Sequence, residues 1–251
     1  WDYVEQKLRQ DWSPEEIAGR IKNADTNFTY ASHGAIYKFV FSVYGRALEQ
    51  YLRYRGKKRR PRHREKVAQL ENRLFLEKRP GIVARRGRFG DWEGDFIVSG
   101  KSGKGYILSV VDRKFRVSFF EKIFPVSIKQ MEKAFLKIKK RYPEMRTVTT
   151  DNDILFVHHK RLEKLLEVKI YFCHPYHSWE KGSIENVNGE IRKDIPKGCN
   201  LSQYTKKFLH SIETRINTRY MKCLNFATPQ EMLEQYRKRK KRPVERCNKK
   251  S

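Results

Sequence analysis

The sequence predicts an α/β fold, in which helices flank a mixed five-stranded sheet, and an N-terminal helical domain of the helix-turn-helix type. Three observations support this prediction. Short helical segments with clear start signals occupy residues 1–52. From Phe89 onwards the pattern changes to short strands rich in β-branched and aromatic residues. The later strands alternate with helical segments, and strands joined through a helix pair in parallel, which makes the sheet mixed.

The N-terminal segment contains two well-marked helix starts. Ser13 is followed by Pro14 and Glu16, which combines an N-cap residue, a proline at the first helical position and a capping-box glutamate. Ser32 marks the second start. Helix, loop and helix suit a helix-turn-helix unit, and a plain helical hairpin with a basic face is the alternative. In the DNA-binding interpretation the groove-facing candidates are Ser32, His33, Tyr37 and Lys38.

The charge balance points to a polyanionic partner. Lys and Arg total 56 against 29 Asp and Glu, a formal net charge of +27. Nucleic acid is the first candidate, because neutralising phosphates and releasing their counterions supplies most non-specific affinity. No long apolar run supports a membrane partner. A dense basic run follows the helical domain and predicts a linker that contacts phosphates: Arg53, Arg55, Lys57, Lys58, Arg59, Arg60, Arg62 and Arg64.

The order of elements from residue 89 is three strands, a helix, a strand, a helix, a strand and a helix. This order matches a ribonuclease H-like core. The predicted strands are Trp92–Val98, Tyr106–Val111, Arg116–Ile123, Thr147–Thr150 and Lys169–Phe172. We therefore expect four segments: a helix-turn-helix domain over 1–52, a basic linker with a short helix over 53–88, the ribonuclease H-like core over 89–200, and a C-terminal helical extension with a basic tail over 201–251.

Three acidic residues make a candidate divalent-metal site. Asp95 lies within the first strand, Asp151 follows the fourth, and Glu185 falls in the first turn of a helix predicted to start near Ser183. Carboxylate oxygens are the ligands that Mg²⁺ prefers. In a two-metal phosphoryl transfer one carboxylate bridges both ions and each ion has at least one more, so three is the minimum useful set.

Position alone does not choose between these acids and their neighbours. Asp91 and Glu93 share a face of the first strand with Asp95, because side chains alternate along a strand. Asp153 competes in the same way with Asp151. The residues by themselves leave this choice open.

Several motifs resemble the IS30 family of insertion-sequence transposases, which belong with retroviral-type integrases among the DDE recombinases. The family's Trp-Glu-Gly-Asp is similar to residues 92–95, its Thr-x-Asp-Asn to 149–152, and its Pro-Lys-Gly to 196–198. The long motif ending in Glu-Asn-x-Asn-Gly is similar to residues 171–189. The helix-turn-helix motif resembles residues 12–20, and the C-terminal motif resembles 222–229.

The resemblance implies that Asp95, Asp151 and Glu185 are the catalytic metal ligands for Mg²⁺ or Mn²⁺. It implies hydrolysis at a transposon end to expose a 3′-hydroxyl, which then attacks target DNA. Double-stranded DNA and a homodimer or larger oligomer are the implied partners, in the cytoplasm of a prokaryote and associated with the nucleoid. The implied supporting residues are Asn152, Asn186, Asn188 and Trp179, and the implied phosphate contacts are Lys181, Arg192 and Lys193.

Two departures from the family pattern keep alternatives open. Asp153 stands where the family usually has Gly, and the family usually carries a further helix-turn-helix before the position of Trp1. The alternatives to a transposase are a DNA-binding protein with a decayed catalytic fold and a ribonuclease H-like nuclease that cuts without joining.

Overall fold

A computed structural model describes residues 1–25, 27–52, 72–101, 103–174 and 178–241. The chain divides into two compact units, one of residues 1–61 with 218–251 and the other of residues 62–217. The basic run from Arg53 to Arg64 lies outside the described residues, as do residues 67–71 of the short helix predicted at Val67–Leu76. In the described remainder this helix prediction is wrong, because Leu74 O accepts from Phe172 N at 2.8 Å and Phe75 forms a parallel bridge with Phe172. Among the described residues, no helix has the length and apolar character needed to cross a bilayer.

The first unit is helical, as predicted. Ser13 and Glu16 form the expected capping box: the Ser13 hydroxyl accepts from Glu16 N at 3.3 Å, and the Glu16 carboxylate accepts from Ser13 N at 2.8 Å. Leu8, Ile17 and Ile36 are fully buried in its core. Its α-helices are α1 (Asp2–Arg9), α2 (Pro14–Asn23), α3 (His33–Val40) and α9 (Pro229–Lys241), with 3-10 turns at Arg46–Tyr51 and Lys222–Leu224.

The second unit contains the predicted mixed sheet. Its strands are β1 (Asp91–Val98), β2 (Tyr106–Asp112), β3 (Ser118–Ile123), β4 (Thr147–Thr150) and β5 (Lys169–Phe172). Their order is β3-β2-β1-β4-β5, with β1–β2 and β2–β3 antiparallel and β1–β4 and β4–β5 parallel. This is the strand order of a ribonuclease H-like core, so the predicted fold class is confirmed. Strand β3 begins two residues later than expected, because Arg116 adopts a left-handed turn conformation with φ of 62°.

The α-helices of the second unit are α4 (Gly81–Ala84), α5 (Ile128–Arg141), α6 (His159–Leu166), α7 (Gly182–Asp194) and α8 (Lys206–Asn217). Its 3-10 turns are Leu76–Lys78, Ile154–Phe156, Ser178–Lys181 and Leu201–Gln203. The single helix predicted from Leu155 to Leu166 is therefore divided. The reason is Asp153, whose carboxylate accepts from Leu155 N at 2.8 Å and caps a separate 3-10 turn before α6.

Helices α7 and α8 pack on one face of the sheet through a continuous apolar cluster. Ile97 and Ile107 contribute from the strands, and Ile184, Ile191 and Ile212 from the helices. Burial of these side chains contributes about 1.5–3 kcal/mol each. This packing fixes the position of α7, the helix that carries Glu185 and Asn188.

The C-terminal extension expected over 201–251 is split between the two units. Helix α8 belongs to the second unit, where it packs beside β3. Residues from Thr218 belong to the first unit, where the Arg219 guanidinium lies 2.9 Å from the Glu16 carboxylate and Tyr220 packs edge-on against Trp12.

Side chains of α8 cover the open edge of the sheet at β3. The Asn217 amide accepts from Ser118 N and donates to Ser118 O, both at 2.8 Å, and the Glu213 carboxylate accepts from Phe120 N at 3.1 Å. An uncovered edge strand presents unpaired backbone groups to other chains. The two side chains therefore replace the missing neighbouring strand.

We expect Asn217→Leu to destabilise the second unit by about 2–4 kcal/mol, because two buried backbone groups of Ser118 lose their partner. Urea denaturation of the full chain measures this change. Lys207→Leu, at an exposed position of the same helix, is the matched control with an effect of about 0.5 kcal/mol or less. Equal stability of the two variants would contradict the edge-covering role.

Candidate active site

Asp95 and Asp151 meet at the boundary between β1 and β4. In the parallel register of these strands Glu93 lies opposite Thr149, and the two aspartates each follow two residues later. Their side chains therefore leave the same face of the sheet. The Lys181 ammonium lies between them, 3.1 Å from Asp95 Oδ1 and 3.2 Å from Asp151 Oδ2. Strands β1 and β4 are therefore neighbours in the sheet.

The charges of Asp95, Asp151 and Lys181 shift the pKa values within this group. Burial raises the pKa of the Asp95 carboxyl above its ordinary value; the Lys181 ammonium offsets part of this effect and the Asp151 carboxylate adds to it. Burial alone would lower the pKa of Lys181, but the two carboxylates outweigh it and raise that pKa. The Lys181 side chain is only 7% exposed, whereas that of Asp151 is 45% exposed.

A hydrogen-bond chain across the sheet orients Asp95. The Asn188 amide of α7 donates to Asp95 Oδ2 at 2.7 Å. The Ser109 hydroxyl of β2 donates to Asn188 Oδ1 at 2.7 Å, which fixes the direction of the amide. One carboxylate oxygen thus faces Asn188 and the other faces Lys181.

The structure separates the roles of the three acids on β1. Asp91 pairs with Arg88 at 2.9 Å and accepts from the Thr147 hydroxyl at 2.9 Å. Glu93 forms a buried ion pair with Arg113. Asp95 is the member of this set that faces Asp151.

Glu93 also holds the start of α7. Its Oε2 accepts from Ser183 N and Ile184 N, both at 3.0 Å. The prediction that Ser183 is the N-cap is wrong: α7 begins at Gly182, and the Ser183 hydroxyl pairs with Arg116. A carboxylate from β1 satisfies the first helical N–H groups instead, where the helix dipole favours negative charge.

Glu185 lies in the first turn of α7, as predicted, and its side chain is exposed. The structure does not bring it into the group formed by Asp95 and Asp151. Within the parts of the chain that the structure describes, no three His, Cys, Asp or Glu side chains are close enough to hold one metal ion.

The donor atoms of the two aspartates nevertheless suit a hard divalent cation. Asp151 Oδ1 is buried and accepts no hydrogen bond from any described residue. A buried carboxylate oxygen without a partner is costly unless a cation or water binds it. Asp95 and Asp151 supply the oxygen donors that Mg²⁺ and Mn²⁺ prefer, so these two residues fit such an ion.

The predicted supporting residues have varied environments. Asn152 donates to Cys173 O at 3.0 Å and accepts from Arg73, which ties the end of β4 to the segment after β5. Asn186 is exposed on α7. The side chain of Trp179 lies outside the described residues.

The residues predicted to contact DNA differ in solvent exposure and in their hydrogen bonds within the protein. His33, Lys38 and Lys193 are exposed, and Lys193 also pairs with Glu190 at 3.0 Å. The Ser32 hydroxyl caps α3 by accepting from Ala35 N at 3.2 Å, and the Tyr37 hydroxyl donates to Glu15 at 3.4 Å. The Arg192 guanidinium donates to Pro196 O at 3.1 Å, beyond the end of α7.

Sequence reasoning missed three contributors to this site. Lys181 was expected to hold phosphate, and the structure places it on two carboxylates. Ser109 and Arg113 lie on and just after β2, far along the chain from the acids. Ser109 is a polar residue within an otherwise largely apolar strand, which is the available signal.

No family model matches the chain. A crystal structure of the catalytic core domain of BIV integrase is 17% identical with a TM-score of 0.46, and the match covers 60% of this chain and 98% of that one. The fold assignment depends on the strand order instead.

Curated relatives match over most of the chain. The transposase of insertion sequence element IS4351 from Bacteroides fragilis is 36% identical, covering 91% of this chain and 71% of the relative. The transposase of IS1086 from Cupriavidus metallidurans is 31% identical, covering 94% of this chain and 72% of the relative. Transposase InsI of IS30A from Escherichia coli is 30% identical over 92% and 63%. The chain belongs to the IS30 family of insertion-sequence transposases.

Proposed function

We propose that this chain is a DDE transposase that uses Mg²⁺ or Mn²⁺ to hydrolyse the phosphodiester at a transposon end and to join the resulting 3′-hydroxyl to target DNA. The observation that carries the proposal is the meeting of Asp95 and Asp151 at adjacent parallel strands, with a buried carboxylate oxygen left unpaired among the described residues. In a chain of net charge +27, a partly buried acidic pair points to a cationic cofactor acting on a polyanion.

Asp95, Asp151 and Glu185 would hold the ions. When bound, the ions supply activation of the attacking oxygen and stabilisation of the leaving oxygen. Asn188 fixes the direction of one Asp95 oxygen, and Ser109 fixes Asn188. Glu185 is three residues before Asn188, so the two residues occupy neighbouring positions on the surface of α7.

The chemistry needs two displacements at phosphorus. In the first, a water oxygen bonds to the phosphorus at the transposon end and the 3′-oxygen of the transposon strand leaves. In the second, that 3′-oxygen bonds to a phosphorus of target DNA and displaces the target's own 3′-oxygen. Each step forms one P–O bond and breaks another, and neither needs a covalent protein–DNA intermediate.

The DNA partners would bind through the basic surface of the chain. The candidates for groove and backbone contact are Ser32, His33, Tyr37, Lys38, Arg192, Lys193 and the basic run from Arg53 to Arg64. A surface of this charge releases several counterions on binding, so affinity should fall steeply with salt. Joining two transposon ends requires a homodimer or larger oligomer in this proposal.

The test incubates the full chain with a labelled duplex of the element's terminal repeat, a target plasmid and Mg²⁺, beside the same mixture with EDTA and beside Asp151→Asn. We expect strand-transfer product only with the unaltered chain and Mg²⁺. Metal-dependent cleavage without joining would support the nuclease alternative. DNA binding with no cleavage would support a decayed transposase, and either result overturns the proposal.

A further inference from the structure

We propose that Lys181 is a resident counter-cation: its ammonium occupies the carboxylate site in the metal-free protein and leaves when a divalent cation binds. This inference rests on the proposed function, because it concerns the same site. It goes beyond that function because it states that a divalent cation binds the two carboxylates by replacing the Lys181 ammonium.

The position of the ammonium carries the inference. Lys181 Nζ lies 3.1 Å from Asp95 Oδ1 and 3.2 Å from Asp151 Oδ2, so it bridges carboxylates that belong to two different strands. A metal ion bridging the same oxygens binds each at about 2.0–2.1 Å for Mg²⁺. Both cations would then occupy one small volume, and their charges repel. The ammonium and the metal ion therefore exclude each other.

Burial explains why a resident cation is needed. Two carboxylates placed side by side in a partly desolvated site repel each other. The Lys181 side chain, 7% exposed, offsets one of the two negative charges and keeps both carboxylates in place before a metal arrives. Removing the Lys181 ammonium without a replacement leaves the carboxylates of Asp95 and Asp151 without a counter-charge. Solvent screens this charge poorly at Asp95, whose side chain is only 22% exposed.

Lysine suits an exchangeable cation better than arginine. Its ammonium is a compact point charge on a flexible four-carbon stem, whereas the arginine fork fixes a bidentate geometry. Lys181 ends a 3-10 turn and directly precedes Gly182, the first residue of α7. No described atom lies within 4 Å of where a Cβ at Gly182 would be. In the proposed exchange the lysine stem swings outward while the backbone of α7 stays helical.

An ammonium that leaves the carboxylates stays close to the reacting centre. At the rim of the site it is then available to a DNA phosphate, which is the role that the family resemblance implied for Lys181. Exchange therefore reconciles the predicted phosphate contact with the observed contact to carboxylates, because the two describe different states of one side chain.

The direct test labels lysines of the full, unaltered chain with an amine-acetylating reagent and measures Lys181 by peptide mass spectrometry. We expect low acetylation of Lys181 without metal and an increase of about tenfold on saturation with Mn²⁺, as the amine becomes exposed. Lys122 is the internal control, because its ammonium donates to Ser202 O and Tyr204 O at 2.9 Å and should not respond to metal. Unchanged or lower acetylation of Lys181 overturns the inference.

A second measurement titrates Lys181→Met and Lys122→Met with Mn²⁺ by calorimetry. We expect Lys181→Met to bind Mn²⁺ roughly tenfold more tightly than the unaltered chain, the change that one nearby charge makes by shifting an equilibrium about one pK unit. Lys122→Met should bind as the unaltered chain does. Equal or weaker binding by Lys181→Met overturns the inference, and if that variant does not fold the labelling result decides.

Failure of the exchange and failure of the proposed function give different results. Binding of Mn²⁺ with Lys181 still protected overturns the exchange and leaves the proposed transposase intact. Absence of Mn²⁺ binding by both the unaltered chain and Lys181→Met, with and without end DNA, overturns the metal-dependent function together with the exchange.

Discussion

Asp95→Asn is expected to abolish metal-dependent strand transfer, with a loss on the order of a thousandfold or more. The asparagine keeps the shape of the side chain and an oxygen that can still accept from Asn188. It loses the negative charge that would hold a divalent cation, and Asp151 is then left as the one carboxylate facing Lys181. Strand transfer on labelled end DNA at saturating Mg²⁺ measures the loss, and circular dichroism checks that the variant is folded.

Asp91→Asn is the matched control, because Asp91 lies on the same strand and the same face. Its carboxylate accepts from Arg88 and Thr147, so we expect a loss of about 1–3 kcal/mol in stability and near-normal strand transfer below the unfolding transition. The opposite pattern, with Asp91→Asn inactive and Asp95→Asn active, would show that Asp91 rather than Asp95 is the metal ligand.

The order and approximate extent of the strands could be predicted from the sequence, because each is a short segment that contains β-branched or aromatic residues and is bounded by turn residues. Predicted and observed limits agree for Thr147–Thr150 and Lys169–Phe172. The mixed character of the sheet also followed from the order of strands and crossover helices. These features depend on local pattern and on a few topological rules, which a sequence states directly.

Contacts between distant segments could not be predicted in the same way. The start of α7 was misplaced because its cap is Glu93, about ninety residues earlier in the chain, as the hydrogen bonds to Ser183 and Ile184 show. The contacts of Lys181 could not be predicted from the sequence either. The family resemblance implied a phosphate contact, and only the fold shows that its ammonium contacts two carboxylates. Sequence spacing carries no information on which long side chain fills a given pocket.

Glu93→Gln is expected to destabilise the second unit by about 3–5 kcal/mol, because it leaves Arg113 buried without its counter-charge. The Glu93 side chain is fully buried and that of Arg113 is 6% exposed, so solvent does not screen the pair. The glutamine oxygen can still accept from the N-terminal amides of α7, but its amide group faces the guanidinium as a second donor. Denaturant unfolding of the full chain measures the loss.

The control for this substitution is Glu121→Gln, which removes an ion pair with Lys137 whose side chain is 50% exposed. A pair of this kind contributes about 0–1 kcal/mol, so the two variants should differ by several-fold in their effect. Similar losses from both would show that the buried pair adds nothing beyond a surface contact.

The double variant Glu93→Gln with Arg113→Met separates stability from positioning. Removing both charges takes away the unpaired cation, so we expect most of the lost stability to return. The start of α7 still lacks the charged cap that Glu93 provides, and α7 carries Asn188, which orients Asp95. We therefore expect strand transfer to stay reduced at full stability. Recovery of both together would mean that Glu93 acts on the fold alone and does not position the helix for the reaction.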